Sequence, residues 1–200
     1  MEGKNPLITT LLILLTTYRS TCSARVVTNT EFIKSSCGVT TYPQLCYNSL
    51  STYASKIQTS PKLLANTALF ITLSNTKATS TEITKLSKQH GIGPREASAM
   101  ADCVETLGDS VDMLQQSMAE MGQASGSDFG LHMNNIQTWV SAALTDEDTC
   151  MDGFAGNSMN GNVENMVRSK IVNITHLTSN ALALINNYAS GQTGFPQVKT

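Results

Sequence analysis

The sequence predicts an all-α protein, a four-helix bundle preceded by an N-terminal helical hairpin. Three observations carry this. Apolar residues recur along long segments at alternating spacings of four and three, the period of a helix face. No segment alternates apolar and polar residues as a half-buried strand does. Four cysteines, Cys37, Cys46, Cys103 and Cys150, remain once an N-terminal leader is set aside.

That leader is residues 1–24. Lys4 precedes an apolar stretch from Leu7 to Leu15, and Cys22-Ser23-Ala24 supplies the small residues a signal peptidase reads. The stretch is shorter than the ~20 residues that span a bilayer. A secreted chain starting at Arg25 is expected, with no membrane segment after cleavage. Cleavage leaves 176 residues and moves the formal charge from −2 to −3. This mild acidity gives no footprint for nucleic acid, and a chain of this length buries a core without metal or cofactor.

The elements follow in order. Residues 25–56 read as the hairpin, with one short helix from Glu31 to Ser36 and a second opened by Tyr42-Pro43 and running through Cys46, Leu50 and Tyr53. Residues 57–191 read as the bundle. Its first helix starts at Ser60-Pro61, a serine cap followed by proline where the missing N–H costs nothing. Leu64, Ala68, Ile71, Asn75, Ala78 and Glu82 form its stripe, which weakens after Ala78, and His90-Gly91 ends it. Pro94 opens the second helix, whose stripe is Met100, Val104, Leu107, Val111, Leu114, Met118 and Met121, with Gly122 as its stop. Met133, Ile136, Val140 and Ala143 mark the third helix. Val167, Ile171, Ile174, Thr178, Ala181, Ile185 and Tyr188 mark the fourth, closed by Gly191. Residues 192–200 read as a frayed tail. Each stripe must be buried against the others, which argues for a bundle.

An even cysteine count in an oxidising compartment reads as two disulfides. Four cysteines allow three pairings. Chain geometry favours the sequential one, but the sequence alone does not choose. No metal is expected, because His90, His132 and His176 lie far apart and no CxxC exists. Asn173-Ile174-Thr175 is a glycosylation sequon.

Catalytic signatures are missing. Asp128-Phe129-Gly130 matches a kinase tripeptide without the rest of that machinery, and no Gly-x-Ser-x-Gly elbow exists. The acidic run Asp146, Glu147, Asp148 and Asp152 reads as a solvated helix end. As an EF-hand it would need glycine where Met151 stands. Met100, Met118, Met121 and Met133 read as core, and so does Trp139 beside Ile136 and Val140. The chain is expected not to be an enzyme.

The cysteine contexts carry a resemblance. Cys37-Gly38-Val39-Thr40-Thr41-Tyr42-Pro43-Gln44-Leu45-Cys46, Ala101-Asp102-Cys103-Val104-Glu105, and Thr138 to Thr145 followed by Asp148-Thr149-Cys150-Met151-Asp152-Gly153-Phe154 resemble, in this order, segments of the plant invertase and pectin methylesterase inhibitor family. The resemblance covers about residues 31–190. It implies an antiparallel bundle behind the hairpin, and it selects the pairing Cys37–Cys46 and Cys103–Cys150. It also implies a monomeric, secreted protein of the plant apoplast or cell wall, binding its target enzyme one to one across the pectin-binding cleft.

Invertase inhibitors of the family carry Pro-Lys-Phe before the third bundle helix. Here Ser127-Asp128-Phe129-Gly130 stands there, so pectin methylesterase is the expected partner and cell-wall or vacuolar invertase the alternative. Because Thr200 ends the sequence, a free inhibitor rather than an enzyme's pro-region is expected. Two polar stripes are candidates for partner binding. Glu105, Asp109, Asp112 and Gln116 repeat at spacings of four, three and four, and Ser141, Thr145 and Asp148 repeat likewise on the third helix.

Overall fold

Prolines and hydroxyls set where the helices begin. The computed structural model describes residues 27–154 and 161–193. The leader at 1–24, Arg25, Gly156 and the last seven residues lie outside them. Helix α1 (Asn29–Cys37) starts with a capping box: Thr28 Oγ1 accepts from the Glu31 N–H, and the Glu31 carboxylate accepts from the Thr28 N–H. Such a cap stabilises a helix by about 1 kcal/mol. Pro43, Pro61 and Pro94 each take the first position of α2 (Pro43–Leu50), α4 (Pro61–Leu86) and α5 (Pro94–Gln123), where no intrahelical partner for an N–H exists. A 3-10 turn (Ser51–Tyr53) and the one-turn helix α3 (Ala54–Ile57) finish the hairpin region. Helices α6 (Phe129–Asp152) and α7 (Gly161–Thr193) complete the bundle. No strand occurs among the described residues.

Helices α4 to α7 form a square in which each packs on its sequence neighbour and α7 closes back onto α4. Short connections force neighbouring helices to run antiparallel. The hairpin rests on the outer side of α4 and α7. Its cluster joins Ile33, Cys37, Cys46, Leu50 and Ile57 to Leu64, Ala68 and Ile71 of α4 and to Leu177, Ala181 and Leu184 of α7. One polar clamp fixes the docking. The Tyr42 N–H donates to Asn180 Oδ1, Asn180 Nδ2 donates back to the Tyr42 carbonyl, both at 3.0 Å, and the Tyr42 ring stacks on His176.

The stripes differ from expectation in an informative way. That of α7 is as expected: Val167, Ile171, Ile174, Thr178, Ala181, Ile185 and Tyr188 are all buried. On α5 the buried line is Met100, Cys103, Leu107, Ser110, Leu114, Ser117 and Met121, whereas Val104, Val111 and Met118 sit half-buried on its flank. Small hydroxyls take the inside positions because helices in close contact leave no room for longer side chains. On α4 the line Leu64, Ala68 and Ile71 faces the hairpin. The bundle interior takes Ala65, Leu69, Thr72, Thr76, Thr79 and Ile83, and Ala78 and Glu82 are exposed. Thr72 and Thr76 are buried with their hydroxyls partnered, each donating to the carbonyl four residues back.

Two smaller expectations also change. Helix α7 continues past Gly191 into the expected tail, and Trp139 is half-buried on the flank of α6. It precedes the core position Val140 by one residue and so turns away from the interior.

Disulfides join Cys37 to Cys46 and Cys103 to Cys150, with Cα–Cα distances of 5.6 and 4.3 Å. The first closes the hairpin and the second ties α5 to α6. Sequence separations of 9 and 47 give unequal restraint on the unfolded chain. Replacing Cys103 and Cys150 by alanine is expected to cost about 4 kcal/mol, against about 2.7 kcal/mol for the Cys37–Cys46 pair. Urea unfolding of the two double variants measures the difference.

Candidate functional site

The helical pair α5–α6 carries the expected site residues, and its geometry follows from three ties. The Cys103–Cys150 disulfide holds one end. At the other, Gly126 takes φ +67° in the connecting turn, a conformation glycine adopts without strain. There Glu120 Oε1 accepts from Asn135 Nδ2 at 2.9 Å and lies 2.8 Å from His132 Nδ1. These hydrogen bonds, Asn135 first, hold the Glu120 carboxyl below its ordinary range. Across the same turn Lys62 Nζ donates to the Ala124 carbonyl, and Phe129 packs edge-on against Tyr188.

Helix α6 therefore has two flanks. Asn135, Trp139, Ala142 and Asp146 follow one another at helical spacing on the flank toward α5, anchored by the Asn135–Glu120 bond. Gln137, Ser141, Thr145 and Asp148 form the other flank, anchored toward α7 by the bond from Gln137 Nε2 to Asn186 Oδ1. On α5, Glu105, Asp109, Asp112 and Gln116 are all exposed. So are Ser141, Thr145 and Asp148, but they lie on the α7 flank and do not share a seam with the α5 stripe.

Their hydroxyls are also committed. Ser141 Oγ donates to the Gln137 carbonyl and Thr145 Oγ1 to the Ser141 carbonyl, so both can only accept from a partner. The α6 residue that does join the α5 stripe is Asp146. Burial, and then the neighbouring Asp109 carboxylate, push its carboxyl above the ordinary range. The register that sets Asp109 beside Asp146 and Glu120 beside Asn135 sets Trp139 opposite Gln116.

The expectation of a solvated acidic helix end fails at Glu147. Its side chain is fully buried, with Thr76 Oγ1, Ser110 Oγ and Thr178 Oγ1 at 3.3, 3.1 and 3.0 Å from Oε1. The periodicity held a signal for this: the stripe Met133, Ile136, Val140 and Ala143 steps next to Glu147 and then to Cys150.

A second signal escapes residue-by-residue reading. Between residues 96 and 152 the sequence has eleven Asp and Glu and not one Lys or Arg. Every Lys and Arg of the described residues lies on other elements or at Arg95, the first turn of α5. From residue 96 to residue 152 the α5–α6 pair is thus one-signed in sequence. No group of three or more metal-ligating side chains occurs among the described residues. No helix there is long and apolar enough to cross a membrane. Asp109→Asn is expected to bring the Asp146 titration midpoint down toward an ordinary carboxylate, read by carboxyl carbon NMR. An unchanged midpoint would assign the whole effect to burial.

Residues 31–184 match the family model described as plant invertase/pectin methylesterase inhibitor. The chain is 49% identical over 163 residues to pectinesterase inhibitor 11 of Arabidopsis thaliana, spanning 80% of this chain and 81% of that one. It is 43% identical over 196 residues to pectinesterase inhibitor 9 of the same plant, spanning 94% and 96%. Among solved structures, a mutant form of a pectin methylesterase inhibitor from Arabidopsis superposes with a TM-score of 0.61 over 75% of this chain and 92% of that one, at 23% identity. That likeness speaks for the fold.

Proposed function

The chain belongs to the plant invertase/pectin methylesterase inhibitor family, and from that premise we propose that it is a proteinaceous inhibitor of pectin methylesterase. Near full-length similarity to proteins named pectinesterase inhibitors carries the choice of target. Invertase is not favoured, since Pro-Lys-Phe is absent from the turn before α6. The protein acts by binding and not by turnover. It leaves the cell by the secretory route after loss of residues 1–24, and as a monomer it covers the enzyme's pectin-binding cleft one to one.

The one-signed α5–α6 side supports the mode of binding. Glu105, Asp109, Asp112 and Gln116, joined by Asp146, form a rigid acidic strip along a helix pair closed by a disulfide. Eleven acidic residues with no Lys or Arg between positions 96 and 152 attract a basic rim on the partner, speed encounter and reject acidic surfaces. Rigidity matters because little ordering entropy is then lost on association. The polar strip suits a cleft built for a hydroxyl-rich polymer.

The deciding assay mixes the oxidised mature protein with purified plant pectin methylesterase at mildly acidic pH and follows methanol release, with sucrose hydrolysis by invertase run beside it. Methanol release should fall while sucrose hydrolysis continues; the opposite pattern overturns the reading. Within that assay, Asp109→Ala with Asp112→Ala should weaken inhibition about tenfold, the scale of one interfacial charge pair. Raising ionic strength from about 0.05 to about 0.5 M should weaken the native protein more than the double variant.

Asn173 is exposed on α7, away from the α5–α6 strip, and is proposed to carry an N-linked glycan. Mass spectrometry of the plant-secreted protein should show a glycoform that Asn173→Gln removes without loss of inhibition.

A further inference from the structure

Glu147 sits where all four bundle helices meet. The layer it makes with Thr76 of α4, Ser110 of α5 and Thr178 of α7 divides the bundle interior in two. On one side lie Leu69, Leu114, Val140, Ala143 and Ile185; on the other, Ile83, Leu107, Cys150, Ile171 and Ile174. A proton count decides its charge. Thr76 Oγ1 and Thr178 Oγ1 also lie 3.0 Å from the carbonyls of Thr72 and Ile174. Each hydroxyl has a single proton. Spent on the carbonyl, it leaves a lone pair facing Glu147 Oε1.

A proton on Oε1 is then received by one of the threonine oxygens, while Ser110 donates to Oε1, and each of the three hydroxyls has an acceptor for its own proton. An ionised carboxylate instead forces the threonines to abandon a carbonyl or face it without a proton. It also leaves Oε2, which has no hydrogen-bond partner, as a buried anionic oxygen.

We propose that the core of the bundle holds a proton on Glu147, so that the fold is tightest in mildly acid surroundings and loosens as that proton is lost. The inference concerns the fold and stands whichever enzyme the protein inhibits. Burial drives it, raising the carboxyl to about 7 even against donation from all three hydroxyls, which would lower it. An acid with a raised folded-state value contributes fully below its unfolded value of about 4.5 and loses that contribution as pH climbs toward 7.

No cation is among the partners of Glu147. The charged groups nearest in sequence to the layer are Lys77 on α4, Asp109 on α5, Asp146 and Asp148 on α6, and His176 on α7. Lys77 is turned outward to Gln115, and Asp109 and Asp148 are exposed. Asp148 and the raised Asp146 act in the same direction as the burial of Glu147. Only His176, which burial disfavours in its charged form, works the other way.

Thermal and urea unfolding of the oxidised protein and of Glu147→Gln, from pH 4.5 to 7.5, separates Glu147 from the rest. Relative to the variant, the native folding constant should fall about tenfold per pH unit between about pH 5 and about pH 6.5, the slope of one linked proton, and level off above about pH 7. Parallel profiles overturn the proposal. Carboxyl carbon NMR of the native protein tests it without any variant: one glutamate should titrate far above the others, and ordinary midpoints for all of them overturn it.

Discussion

A carboxyl group removed from water must find its hydrogen bonds on whatever surrounds it, and Glu147 finds them on three other helices. That requirement constrains the whole bundle. Thr76, Ser110 and Thr178 must stand at one height, because a slip of any helix by a single turn would carry a hydroxyl about 5.4 Å away. An apolar layer tolerates such slippage, since one methyl group replaces another. A polar layer does not, and a buried polar residue that fixes register at a cost in stability is well precedented in coiled coils. The clusters above and below are in register because the layer between them is.

The hydroxyl-rich interior follows from the same packing. Thr72, Thr76, Thr79, Ser110, Ser117 and Thr178 line the bundle where leucine would be usual. Several return their proton to the carbonyl one turn back, among them Thr72, Thr76, Thr178 and Ser117. They thus present a nearly apolar outer surface while remaining narrow. Close-packed helices, two disulfides and the Tyr42–Asn180 clamp supply the cohesion that the few intrahelical ion pairs do not.

Much of this was legible in the sequence, and what was not has a physical reason. Apolar spacing located all four bundle helices, and along α7, where the inward positions are mostly large and apolar, it found every buried residue of its stripe. It erred on α5 and α4, where serine and threonine hold the inward positions and look like surface. Glu147 was read as solvated because charge outweighed periodicity, although the stripe through Ala143 steps directly to it. The acidic strip on α5 was visible as a spacing. Its α6 neighbour Asp146 was not, because which flank of α6 meets α5 is decided by tertiary contacts such as Glu120 with Asn135. The clean division of charge along the chain was legible throughout, but only as a count over a long segment.

The disulfide between Cys103 and Cys150 also has a topological meaning. With the turn at 124–128 closing one end of α5–α6 and the sulfur bridge closing the other, residues 103 to 150 form a covalent ring. A ring cut once is still one piece. A protease that severed the exposed turn would leave both helices of the acidic strip attached to each other and to the rest of the bundle. One cut in this exposed turn would therefore not release either half.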